Sequence, residues 1–196
     1  MRNPFVGERY AERRILILGE SSWGTGMEDA SYVAHWLEHP KFLEHPGCSI
    51  CAQVGGSQYK RDTLNDALTT MMLWYRKPND TKRRSPTDAE RRMLWSLIAF
   101  GNFVTREMRV RVKDRPDEPD WREAADSFPA ELKELKPRVC LVLDNPGGDL
   151  SSYSAPALQA AEVEVVRLPH LTMRPAPKFN DRAAAWSRCL AATQRT

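Results

Sequence analysis

The chain has 196 residues, of which 41% are hydrophobic and 28% charged, with a net charge of +3. That is the length of one domain with enough apolar content for a core, which excludes a disordered tail. No apolar run approaches the roughly 20 residues that cross a bilayer, so no membrane partner is expected. The opening Met1-Arg2-Asn3-Pro4-Phe5 has no signal-peptide block, so a cytoplasmic protein with its four cysteines reduced is expected.

Residues 1–13 are polar, carry Pro4 and read as a surface lead-in. Arg14-Ile15-Leu16-Ile17-Leu18 reads as a strand buried on both faces, because its apolar run is unbroken. Gly19 ends that run, and Glu20-Ser21-Ser22-Trp23 up to Gly24 reads as a polar turn. In an open parallel sheet this is where ligands bind, although such a turn can also serve only to reverse the chain.

Tyr32, Val33, Trp36 and Leu37 recur at helical spacing and predict a helix over 27–38, closed by Pro40. Residues 39–58 are irregular and read as an insertion. They hold Cys48-Ser49-Ile50-Cys51, and His35, His39 and His45 stand nearby. Zinc takes such ligands, but a single Cys-x-x-Cys with these histidine spacings matches no standard finger, so no metal is expected.

Leu64, Ala67, Leu68, Met71, Met72 and Tyr75 predict an amphipathic helix over 61–75. Residues 76–85 read as a charged linker, and Thr87-Asp88-Ala89-Glu90 as a capping box. That box opens a helix with Met93, Leu94, Leu97, Ile98 and Phe100 as its buried stripe and Gly101 as its end. Phe103-Val104 reads as a short strand, and Asn102 stands out as a polar residue between aromatics, suited to a turn or to reading an amide-like edge.

Residues 106–120 read as a solvent loop, and a helix follows over 121–135. Residues 138–143 predict a second buried strand, with Cys140 in the core. Residues 156–161 predict a short helix, and 163–166 a third strand. His170 follows that strand directly, and Asn180-Asp181 caps a last helix through Ala192. The alternation predicts one domain over 1–196, a three-layer α/β/α fold with a mostly parallel central sheet.

Basic residues fall in two groups, one with Arg83, Arg84, Arg91 and Arg92, the other with Arg106, Arg109 and Arg115. Such clusters suit a phosphate backbone, or a solvated surface. There is no Gly-x-Ser-x-Gly elbow, P-loop or Gly-x-Gly-x-x-Gly turn, which argues against a hydrolase triad and a nucleotide cofactor.

Glu20 with Ser21, Asn102 and His170 each follow an apolar run, in an order that resembles the uracil-DNA glycosylase superfamily. Residues 15–23 resemble its first motif and Asn102 its base-reading asparagine. Residues 135–143 resemble its lysine-proline strand, and His170-Leu171-Thr172 its His-Pro-Ser motif. Ser21 stands where that family has its water-activating aspartate or an alanine, and Trp23 where uracil enzymes have a tyrosine.

The resemblance implies a monofunctional DNA glycosylase that flips out uracil or a modified pyrimidine and leaves an abasic site, in repair or in defence against phage DNA. It implies Glu20, Ser21 and His170 as catalytic, and Gly19, Ser22, Trp23, Asn102, Phe103 and Thr172 as base-binding. Arg83, Arg84, Arg106, Arg109 and Arg174 would hold DNA; a monomer without cofactor is expected. The alternatives are a non-catalytic DNA- or nucleotide-binding module on the same fold, or a zinc-assisted hydrolase using His35, His39, Cys48 and Cys51.

Overall fold

The computed structural model describes residues 3–23, 29–38, 68–72, 86–108, 115–144, 148–169 and 179–194. Five strands form one sheet: β1 (Phe5–Val6), β2 (Ile15–Trp23), β3 (Ile98–Met108), β4 (Val139–Leu143) and β5 (Glu164–Leu168). Their order across the sheet is β1-β3-β2-β4-β5. All neighbours run parallel except β1, which pairs antiparallel with β3.

The helices are α1 (Tyr10–Arg13), α2 (Asp29–Glu38), α3 (Asp88–Trp95), α4 (Glu118–Leu135), α5 (Asp149–Ala160) and α6 (Phe179–Ala192). Residues 68–72 are also helical. The sheet separates two cores, which makes the domain three-layered. On one face Ile15, Ile17, Ile98 and Phe100 pack with Trp36 of α2, Leu94 and Trp95 of α3, and Trp186 of α6. On the other, Leu16, Leu18 and Phe103 pack with Trp121 and Phe128 of α4 and Leu158 of α5. Ile15 through Leu18 are wholly buried, as an unbroken apolar run in a central strand must be.

The lead-in over 1–13 holds structure, which corrects the expectation of a bare surface segment. Phe5 and Val6 add an edge strand, and Gly7 N–H donates to the Ile98 carbonyl at 2.9 Å. Helix α1 ends at Arg14, whose left-handed backbone (φ 56°) turns the chain into β2. Lys136 does the same at the end of α4, just before β4. The two junctions are tied together: Arg14 Nε donates to the Lys136 carbonyl, and Arg138 N–H donates to the Arg14 carbonyl at 2.9 Å.

Two more boundaries differ from expectation. The capping box at Thr87 and Glu90 is present, but the helix it opens stops at Trp95. Ser96 and Leu97 make a turn, and Ile98 opens an 11-residue strand that contains Gly101. The apolar stripe fitted both periods, and burial on the sheet decided for strand. Helix α5 starts at Asp149 rather than 156, because Pro156 removes one helical hydrogen bond without ending the helix. The insertion over 39–58 and most of the helix expected over 61–75 lie outside the described residues.

Candidate functional site

Strand β2 leads away to β3 on one side, whereas β4 leads to β5 on the other. The reversal makes the gap between the carboxyl ends of β2 and β4 the switch point of the sheet, where open α/β folds bind ligands. The pairing runs from Ile15–Val139 to Leu18–Val142, and continuing it by two residues brings Glu20 level with Asp144.

Glu20 is 31% exposed, with Oε1 3.5 Å from an Arg115 guanidinium nitrogen. Burial raises its pKa above the ordinary glutamate value; Arg115 opposes this, and the negative charges of Asp144 and Asp149 add to it. Asp144 caps α5 from outside the helix, its Oδ2 accepting the Ser151 N–H at 2.7 Å. Gly148 is needed for that approach, because a Cβ there would stand 2.1 Å from Asp144 Oδ1.

Asn102 lies on β3 directly across from Gly19 of β2. Strand β1 ends its pairing at Phe5–Phe100, which leaves the outer edge of β3 open at residue 102. Asp29, the first residue of α2, fills that opening. Its Oδ2 accepts the Asn102 backbone N–H at 2.7 Å, and its Oδ1 accepts Asn102 Nδ2 at 2.6 Å. Both residues are buried. The amide oxygen is turned the other way, above β2: a Cβ on Gly19 would be 2.6 Å from Asn102 Oδ1.

The resemblance implies that Glu20 and Asn102 converge on one pocket; they leave opposite faces of the sheet instead. Asn102 has the alternation of Ile98 and Phe100 and leaves the sheet on the α2 face. Glu20 has that of Leu16 and Leu18 and leaves on the α4/α5 face, beside Arg115, Asp144 and Asp149. Phe103 also corrects its expected role: it is wholly buried on that second face, 5.1 Å from the Phe128 ring centre and 6.1 Å from that of Trp121. It is therefore core and has no free ring face for a base. The expected turn at Glu20–Trp23 is strand: β2 runs on to Trp23, with Ser21 opposite Val104 and Trp23 opposite Met108 across a register shift.

The basic residues are partly committed to the fold. Arg106 grips Asp120 of α4 at 2.8 Å through Nε and again through Nη2, and also reaches the Arg115 carbonyl. Arg91 pairs with Asp88 and lies 5.9 Å from the Trp36 ring centre. Arg115 is largely exposed, beside Glu20. His170, Thr172, Arg174, Arg83, Arg84 and Arg109 lie outside the described residues, as do His39, His45, Cys48 and Cys51 and the side chains of Ser21, Ser22 and Trp23. Among the described residues, no cluster of histidine, cysteine and carboxylate side chains could hold a metal ion.

Sequence reasoning gave no site role to Asp29 or to Asp144, which it read only as part of a polar turn after a strand, and it placed Arg115 in a basic group without its pairing to Glu20. Asp29 and Asp144 had signals: an acid at the start of an apolar-striped helix, and an acid at the end of a buried strand, ahead of a Gly-Gly pair. Comparison with models of known protein families and with curated proteins found no match.

Proposed function

We propose that this chain is a monofunctional DNA glycosylase of the uracil-DNA glycosylase type, removing uracil or a modified pyrimidine from DNA as a cytoplasmic monomer. One setting for such an activity is defence against phage DNA with altered bases. The observation that carries the reading is the Asn102 amide, held by Asp29 above a side-chain-free Gly19, level with the carboxyl end of β4. A fixed amide there is suited to reading a flipped base by hydrogen bonds.

Water must approach the sugar C1′ from the side opposite the departing base. In this reading, Asn102 holds the base, and Glu20, reached past the carboxyl end of β2, takes the proton from the attacking water. The C1′–N bond breaks with its electron pair passing to the base, and the water oxygen forms the new bond to C1′. A carboxylate made more basic by burial suits that role. His170 would donate a hydrogen bond to the anionic base, and Arg115 with the other arginines would meet phosphates.

The test is a panel of oligonucleotides bearing uracil or modified pyrimidines, incubated with the protein and cleaved at abasic sites by alkali. The expected result is strand cleavage for at least one base, falling by about 10²-fold or more in Asn102→Ala. Parent-rate excision by Asn102→Ala, or no abasic product from any member, would overturn the reading. DNA binding without product would favour a non-catalytic module.

A further inference from the structure

We infer that Asp29 is a positioning residue that fixes the polarity of the Asn102 amide, so that its oxygen faces the ligand side and calls for an N–H there. The inference deepens the proposed function and rests on that reading for the identity of the ligand as a base. An asparagine amide can turn end for end, exchanging donor and acceptor, wherever its neighbours allow both. Here they do not. The amide nitrogen donates to Asp29 Oδ1 at 2.6 Å, the orientation that a carboxylate acceptor favours.

The second carboxylate oxygen holds the backbone N–H of the same residue at 2.7 Å, which fixes the carboxylate plane against β3. Charge-assisted bonds of this kind are about twice as strong as neutral ones, and burial keeps water from competing. With the nitrogen turned towards α2, the oxygen is left above Gly19, towards β2 and the switch point. An acceptor in that place selects bases that present an N–H, such as a uracil-type N3–H. It disfavours a base with an unprotonated nitrogen or a methyl group at that position. A bond that only staples α2 to the sheet would not give this preference.

Two measurements test it. In 15N-edited NMR of the wild-type chain, with the Asn102 signal identified by its loss in Asn102→Ala, the side-chain amide protons should exchange at least about tenfold slower than those of exposed Asn180. Exchange at the Asn180 rate would overturn the lock, whatever the chain does to DNA. The second uses single strands carrying deoxyuridine or 3-methyldeoxyuridine. Wild type should prefer the N3–H base by about tenfold or more, and Asp29→Asn, which lets the amide turn, should reduce that preference severalfold. Full preference in a folded Asp29→Asn variant would overturn the inference and leave the glycosylase reading standing. If neither base is excised, that reading fails in this assay, and the exchange measurement still decides the role of Asp29. It also decides if Asp29→Asn does not fold.

Discussion

Gly19→Ala is the sharpest probe of the edge that carries Asn102. The added methyl carbon would stand 2.6 Å from Asn102 Oδ1 and 3.7 Å from its Cγ. Contacts below 3.0 Å do not persist, so the oxygen must retreat by at least about 0.4 Å. The amide cannot yield freely, because its other end is bonded to Asp29 at 2.6 Å inside the protein. Relieving the clash therefore means weakening a buried hydrogen bond to a charged group, about 1.5–3 kcal/mol. The expected cost is about 2 kcal/mol. With a urea dependence of about 2 kcal/mol per molar, the unfolding midpoint should fall by about 1 M. Asn102→Ala removes the obstacle and with it the amide bond to Asp29 Oδ1, while the backbone N–H of residue 102 still serves Oδ2, so it is costly by itself, and a double-mutant cycle isolates the contact. Gly19→Ala should cost much less in the Asn102→Ala background, giving a coupling of about 1–2 kcal/mol. A coupling below about 0.5 kcal/mol would show that the amide does not sit over Gly19.

Three further outcomes are expected. Burial raises the Glu20 pKa on folding, so the folded state holds its proton to higher pH than the unfolded one. Stability therefore falls as pH rises from the unfolded value near 4.3 through the folded one. Glu20→Gln should be more stable than wild type at pH 7 and no different below about pH 4 by urea unfolding, while losing base excision; equal stability at both pH values would refute the burial argument. Gly148→Ala should displace the Asp144 carboxylate from Ser151 N–H and cost about 1–2 kcal/mol, and a cost no larger than that of Asp149→Ala in the same urea titration would count against it. Trp95→Phe removes the 2.8 Å bond from its indole nitrogen to Thr69 and shrinks a wholly buried ring; about 1–3 kcal/mol should be lost, and a change under about 0.5 kcal/mol would sink the packing argument.

The central strands were legible because burial on both faces leaves an unbroken apolar run, as in Ile15–Leu18 and Val139–Leu143. The capping box at Thr87 was legible because its chemistry is local. Strand β3 was not: Leu94, Leu97, Ile98 and Phe100 satisfy a helical stripe as well as a sheet, and only the neighbouring strand settles the choice. Edge strand β1 has two residues, too few to carry a period. The start of α5 was hidden because its cap, Asp144, lies outside the helix at the end of β4. Asn102 stood out as a polar residue among aromatics, whereas its pairing with Asp29, 73 positions away, was invisible to local reading. The face each side chain takes depends on register, which is why Glu20 and Asn102 seemed able to meet.

That register is anchored at the opposite margin of the sheet. The bonds joining Arg14 to Lys136 and Arg138 act as a zero mark from which both middle strands are counted. Sliding β4 against β2 by a single position there would exchange inward and outward side chains along its length. Asp144 would then no longer stand level with Glu20. The alignment of side chains at one rim of the domain is thus gauged by two left-handed residues at the other, and damage to that fastening would surface as a misaligned carboxylate pair far from the change.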